Sequence, residues 1–284
     1  MTERKSTWLL DHKQDLFSQT GEDGVFAEVL SLLPEKNHWC VEFGAWDGKL
    51  FSNTANLIEN RGYSAVLIEA DSKKFLELQQ YCQHKDNVVA INRIVGFGQD
   101  DNLDEILSTT PIPLDFDFLS VDIDGNDYHA WRAISRYRPK VVVIEFNPTI
   151  PSHVRSVQPA DPSCHIGSSL LAMVQLAKEK GYELVCALHF NAIFVKQEYF
   201  PLFEIKDNDP ATLWQDQQSL TYLCAGYDGT IFLVGGRRLL WHDIELFDSR
   251  LQYLPKWLRK FPPNYTKLEA AFFKLFKSLI NPQC

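Results

Sequence analysis

Six cysteines stand at 40, 82, 164, 186, 224 and 284, but no Cys-x-x-Cys pair occurs and the spacings fit no zinc module. No run of 18 apolar residues is present, and the opening Met1-Thr-Glu-Arg-Lys-Ser6 is polar with no apolar stretch behind it. The expectation is a chain with neither a membrane-spanning helix nor a secretion signal. A basic excess is missing too: the formal net charge is -9, which repels phosphate backbones and argues against general nucleic-acid binding. No internal repeat or low-complexity tract is found, so a repeat architecture is not expected. Cys40 and Cys186 lie inside apolar runs, where buried free thiols are common. The reading is reduced thiols in a cytoplasmic protein.

What is there suits one large α/β domain and an appendage, with 284 residues of which 45% are hydrophobic. Residues 15–33 read as an opening helix with Val25, Val29, Leu32 and Leu33 on one face, ended by Pro34. Short apolar runs follow at Trp39–Phe43, Ala65–Ile68, Val88–Ile91, Phe116–Val121 and Lys140–Phe146. Helical stretches near 52–60, 72–84, 102–109 and 126–137 alternate with them, the pattern of a parallel, doubly wound sheet. A helix over 168–180 then leads to Tyr182–Leu188 and Ala192–Val195, whose three-residue link is too short for a parallel crossover. Five parallel strands closed by an antiparallel hairpin give a Rossmann-like α/β fold with the seven-stranded arrangement of class I methyltransferases. The expected domain spans residues 1–200, and residues 201–284 form an extension with a hairpin turn at Asp228-Gly229. The proline-bearing loop between Phe146 and Ser168 reads as a lid or binding loop.

The first strand ends in Val41-Glu42-Phe43-Gly44-Ala45-Trp46-Asp47-Gly48. The spacing Glu-x-Gly-x-x-x-Gly differs from the Gly-x-Gly-x-x-Gly of dinucleotide enzymes. Gly44 permits a tight turn and Gly48 a close backbone approach to a ligand. An acid at the strand end suits a cationic ligand, and S-adenosylmethionine carries a sulfonium and an ammonium. Glu42, Gly44, Ala45, Asp47 and Gly48, with Asn53 at the start of the next helix, are therefore expected to cradle that cofactor. Glu69 ends the second strand, where an acid takes ribose hydroxyls. Asp71 is a weaker choice for that role, and Asn92 and Arg93 after the third strand lie where adenine is held.

The fourth strand ends Ser120-Val121-Asp122-Ile123-Asp124-Gly125-Asn126-Asp127 and the fifth ends Glu145-Phe146-Asn147. Ligands bind at the carboxyl ends of strands in open α/β sheets, so these oxygens face one crevice. Residues two apart share a face, which pairs Asp122 with Asp124 and Glu145 with Asn147. Asp122, Glu145 and Asn147 are candidate ligands for Mg²⁺ or another hard divalent cation. Asp122 also borders the cofactor. Asp122, Asp124 and His165 are the candidate catalytic residues, with His129, His153 and His189 equally available as a base. The glycine position and the lack of a Glu at the twelfth place exclude an EF-hand.

Together Phe17-Ser-Gln-Thr-Gly-Glu-Asp-Gly24, Val41–Gly48, Ser120–Asp127 and Val143-Ile-Glu-Phe-Asn-Pro148 resemble the FkbM-type methyltransferases. Gly167-Ser-Ser-Leu170, Lys180-Gly-Tyr182 and Asn191-Ala-Ile-Phe-Val195 continue the likeness, over roughly residues 14–200. The resemblance implies O-methylation of a sugar or sugar-containing small molecule, with a divalent metal in some members. It also implies that Gln19 and the Glu22–Gly24 stretch line the cofactor pocket. A non-catalytic binding or scaffold module on the same fold is the alternative reading.

The carboxyl-terminal stretch differs in charge from the rest. Residues 250–284 hold seven basic residues and one acid, Glu269. Over 266–280, Leu268, Phe272, Leu275, Phe276 and Leu279 share a face flanked by Lys267, Lys274 and Lys277. Packing on its own domain is the simplest expectation for such a helix. A membrane surface, which would make the protein peripheral, or a homodimer are the other partners it could serve.

Overall fold

The computed structural model describes residues 4–280, so residues 1–3 of the polar opening and Cys284 lie outside it. The chain forms two compact units that divide between Gln217 and Gln218. In the first, seven strands build one sheet: β1 (Trp39–Phe43), β2 (Ser64–Glu69), β3 (Val88–Asn92), β4 (Phe118–Val121), β5 (Val141–Glu145), β6 (Tyr182–Ala187) and β7 (Asn191–Lys196). Their order is β3-β2-β1-β4-β5-β7-β6. Only β7 runs antiparallel to its neighbours. The sheet is thus the Rossmann-like arrangement the sequence implied, with its closing hairpin in place.

The apolar runs explain the layering. β4 and most of β1, β2 and β5 are buried on both faces, as a parallel sheet covered by helices requires. The helices are α1 (Glu22–Ser31), α2 (Ala55–Arg61), α3 (Ser72–Cys82), α4 (Leu103–Leu107), α5 (Asp127–Ala133) and α6 (Leu170–Glu179). Phe26 of α1 packs edge-on against Phe118 of β4, with ring centroids 5.0 Å apart. Trp131 of α5 meets Tyr182 and Phe194 of the closing hairpin.

The order reverses between β1 and β4, both of which grow outward from the centre. This switch point opens a crevice at the strands' carboxyl ends.

Two expectations need correction, and the loop expected as a lid or binding loop gains a physical description. The opening helix starts at Glu22 rather than at 15, because Asp23 captures the segment before it. Its Oδ2 accepts from the backbone N–H of Leu16, Phe17 and Ser18, which fixes those residues as a loop. The first unit closes at Gln217 rather than at 200. Buried Phe203 accepts a hydrogen bond from Trp8 Nε1 at 3.0 Å, and buried Trp214 bridges to Ala187, so both belong to the sheet's own core. Finally, the long loop before α6 is pinned rather than free. Gln158, 3% exposed, accepts at Oε1 from Ile166 N and Gly167 N and donates through Nε2 to Cys164 O.

A short helix, α7 (Pro210–Leu213), ends the first unit. The second unit contains the expected hairpin, β8 (Thr221–Ala225) with β9 (Ile231–Gly235), and the helix α8 (Lys267–Ile280). No residue of α8 is fully buried; Phe272 and Phe273 meet Trp257 and Tyr265 of the same unit, while Leu268, Leu275 and Leu279 are exposed. Cys40, Cys82, Cys164, Cys186 and Cys224 are free thiols. Among the described residues no helix is long and apolar enough to cross a membrane.

Candidate active site

A cavity of about 450 Å³ opens at the switch point. Its floor is the turn after β1. Gly44 has φ +80°, and a Cβ there would lie 1.7 Å from the carbonyl oxygen of Asp122. Only glycine fits both the dihedral and the contact. The N–H groups of Gly44 and Ala45 both donate to Ile68 O, which ties the turn to β2. Replacing Gly44 by Ala is expected to cost at least about 2 kcal/mol. Thermal unfolding would show it as a lowered midpoint, with a matching loss in nucleoside binding.

Glu69 stands on the opposite wall. Its Oε2 accepts from Trp46 N at 2.7 Å and its Oε1 from Asp71 N at 2.8 Å. Each carboxylate oxygen keeps a further acceptor position, and Glu69 lines the cavity. Gln19, Glu42, Gly44, Ala45, Asp122 and Asp124 also line it, as the sequence led one to expect. Trp46, Leu50, Phe51 and Val95 add apolar walls, and Arg93 stands among them. Of these five only Arg93, which follows Asn92 after the third strand where adenine is held, was named from the sequence. The signal was present for Trp46 and Leu50-Phe51, large apolar residues inside a turn where solvent would otherwise be met.

Glu42 serves a different end from the one expected. Its Oε2 accepts from Ser52 Oγ and Thr54 Oγ1, each at 2.6 Å, and its Oε1 from Asn53 N at 2.8 Å. Burial pushes its carboxyl up while these donors pull it back. It braces the start of α2 against β1 while also lining the cavity.

Five further cofactor residues are turned elsewhere. Asp47 accepts from the N–H groups of Lys49 and Leu50 and so shapes the turn. Gly48 faces protein, since a Cβ there would lie 2.5 Å from Tyr81 Cδ1. Asn53 donates to Ser120 Oγ at 2.9 Å. Asp71 is the N-cap of α3 and accepts from Lys73 N and Lys74 N. Asn92 donates to Glu69 O and accepts from Ser72 Oγ, so its amide buttresses the β2–β3 edge.

The chemical half of the site centres on carboxylates. Asp122, Asp127 and Glu145 each offer an oxygen within 4.8 Å of the others'. Asp127 was missed as a site residue because it sits on a helix. Asp124 takes φ 55° and Gly125 φ 141°, which folds the chain back after β4 and brings the first turn of α5 beside it. There Asp127 accepts from Ile123 N at 2.8 Å and Gly125 N at 2.9 Å.

Asn147 is not part of the cluster. Its Nδ2 donates to Ile166 O at 2.7 Å, and its Oδ1 accepts from Thr149 N and Thr149 Oγ1. Both ends of the amide are committed to holding the loop, which leaves none for a metal.

The carboxylates raise one another's proton affinity. Burial and the charges of Asp127 and Asp124 hold Asp122 well above the ordinary carboxylate range. Burial and the charges of Asp122 and Asp127 do the same for Glu145. Burial lifts Asp127 to about 6 despite its backbone donors. Hard oxygens so close together, partly screened from water, fit a hard divalent cation held by Asp122, Asp127 and Glu145.

His165 stands exposed, with its Nδ1 3.0 Å from the backbone oxygen of Asp124. A carbonyl only accepts, so Nδ1 carries the hydrogen and Nε2 keeps the lone pair. His189, in the link between β6 and β7, pairs through Nδ1 with Asp216 Oδ2 at 2.9 Å.

The fold and the carboxylate cluster can now be set beside known proteins. No curated protein matches the chain. Among solved structures it is similar to the N-terminal domain of EvdMO1 in the presence of SAH and D-fucose. Identity is 12% over 60% of this chain and 79% of that one, with a TM-score of 0.41. It is also similar to magnesium protoporphyrin IX methyltransferase (ChlM) from Synechocystis PCC 6803 with bound SAH. There identity is 11% over 62% of this chain and 81% of that one, again with a TM-score of 0.41. These likenesses are weak, and the fold assignment stands on strand order and direction. The family model described as "Methyltransferase FkbM domain" matches residues 99–184, the stretch that holds Asp122, Asp127 and Glu145. Over those residues the chain is similar to the FkbM methyltransferase domain, the family that its motifs resemble.

Proposed function

We propose that the protein transfers the methyl group of S-adenosylmethionine to a hydroxyl oxygen of a sugar or sugar-containing small molecule. One observation carries the reading: Asp122 lines the cavity that Gly44 and Glu69 also shape, and its carboxylate lies within reach of those of Asp127 and Glu145.

In this reading the nucleoside lies over the Gly44 turn, with ribose hydroxyls on the free acceptor positions of Glu69. Trp46, Leu50, Phe51 and Val95 take the adenine and exclude water from it. A hydroxyl-rich acceptor suits the acidic wall, because each carboxylate oxygen accepts a sugar O–H.

Methyl transfer is an in-line displacement. The acceptor oxygen forms the new O–CH₃ bond as the S–CH₃ bond breaks, and the sulfonium leaves as a neutral thioether. The hydroxyl proton passes to Asp122, whose elevated proton affinity makes it a better base than an ordinary carboxylate. Burial and then the charges of Asp127 and Asp124 sustain that affinity in the ion-free site. His165, whose Nε2 keeps its lone pair, is the group that accepts the proton onward. A divalent cation held by Asp122, Asp127 and Glu145 would replace Asp122 as base: it would lower the hydroxyl pKa and orient the acceptor, and the proton would leave to His165 or solvent.

Titration calorimetry with S-adenosylhomocysteine tests the first half of this reading, and micromolar-range binding is expected. Glu69→Ala removes two charge-assisted contacts to the ribose and should weaken that binding about 100-fold. Unchanged affinity in the variant would remove the nucleoside from this cavity. The second half is tested by incubation with methyl-labelled S-adenosylmethionine and a glycan extract. Label in a methyl ether is expected. Binding without turnover on any acceptor would favour a non-catalytic module.

A further inference from the structure

The second unit carries an unusual surface. Residues 218–284 hold nine basic and five acidic residues, against a net charge of -9 for the whole chain. A net +4 unit is thus joined to a strongly acidic one.

Its last helix explains where that charge is placed. Leu268, Phe272, Leu275 and Leu279 recur at i, i+4, i+7 and i+11, so they form one stripe along α8. All four are exposed, Leu275 by 57% and Leu279 by 72%. The helix is held by a different face. Phe273 meets the Tyr265 ring at 5.5 Å, and Glu269 accepts from Lys260 Nζ at 2.6 Å. The stripe is therefore left open by a helix that is otherwise anchored. Trp257, itself exposed, meets Phe272 edge-on at 5.8 Å and extends the apolar surface beyond the helix. Lys267 and Lys274 lie about a third of a turn round from the stripe and Lys277 on the face opposite it; all three are exposed and without an ion-pair partner among the described residues.

We propose that this face docks on an anionic lipid bilayer, with α8 lying in the plane of the interface. The stripe and Trp257 would enter the headgroup region, while Lys267 and Lys274 reach lipid phosphates at its edge. Amphipathic helices with basic flanks and an aromatic residue at the boundary bind membranes in this way. The charge pattern also selects among occupants. A second copy seated on the stripe would bring two lysine-flanked helices together, and like charges would oppose that pairing. An anionic surface is complementary to them. The inference does not depend on the catalytic reading, since it uses residues of the second unit alone.

The test is co-sedimentation of the full chain with phosphatidylcholine vesicles, with and without phosphatidylglycerol. Binding to the anionic vesicles, weakened by added salt, is expected. Leu275→Glu and the double variant Lys267→Glu/Lys274→Glu should each lower it by about 10-fold or more. These residues are exposed, so circular dichroism and melting of both variants should match the parent. No preference for anionic vesicles, or wild-type binding by both variants, overturns the proposal. So does a dimer in sedimentation equilibrium that Leu275→Glu dissolves, since the stripe would then be covered by a second copy.

Discussion

Asp122→Asn is expected to lower methyl transfer by about 10³-fold while leaving S-adenosylhomocysteine affinity within a few-fold of the parent. The separation follows from position. Asp122 lies at the end of β4, where its carboxylate meets Asp127 and Glu145 on one side and the cavity on the other. The main cofactor contacts of the reading, through Glu69 and the Gly44 turn, come from β2 and β1. An amide keeps the shape of the side chain but takes no proton at neutral pH, so the acceptor hydroxyl loses its base. Single-turnover rates with pre-bound labelled cofactor separate this from a binding defect. A variant with full turnover would show that Asp122 takes no proton. A variant that no longer binds S-adenosylhomocysteine would place its role in cofactor recognition instead.

The strand order was legible because a parallel sheet buried on both faces needs uninterrupted apolar runs, and Trp39–Phe43 or Val141–Glu145 can be little else. The closing hairpin was legible from the link between β6 and β7, too short for a crossover. Side chains in the turns were harder to read, because acids and amides beside helix starts have two uses. Asp71 caps α3 and Asp47 shapes its own turn, whereas Glu69, one strand end away, faces the cavity. Local backbone N–H groups decide between these uses, and their directions depend on φ and ψ rather than on residue type. Asn147 and Asp127 show the same limit from both sides. Strand alternation placed Asn147 next to Glu145, but Gly167 and the pinned loop draw its amide away. Asp127 lies on a helix, outside any strand rule, and is brought in by the left-handed Asp124. The tail helix was read correctly for its pattern, while its open face depends on packing that periodicity does not contain.

Glu145→Gln should change the protein's response to divalent cations more than its ordinary stability. Three carboxylates in one partly buried cluster repel when all are charged. Asp127 takes up its proton at about 6 in the fold rather than at 3.8, and Glu145 and Asp122 are raised as well. Between those values the folded chain binds more protons than the unfolded one, so stability falls as pH rises. The ion-free protein is therefore most favoured by these groups below their unfolded pKa, and that contribution is lost as pH passes about 6 for Asp127. A cation opposes the loss above that range. At a Mg²⁺ concentration of about 100 times its dissociation constant, the gain is roughly 2.7 kcal/mol, or about 5–10 °C in melting temperature. The gain should be large at pH 7.5 and small at pH 5, where protons compete with the ion. Glu145→Gln removes one charge with little change of shape. It should melt higher than the parent in chelator at pH 7.5 and show almost no rise with Mg²⁺. A parent whose melting temperature ignores Mg²⁺ at both pH values would leave the cluster to protons alone, with Asp122 still able to act as base. A variant that keeps the full Mg²⁺ shift would move the ion away from Glu145.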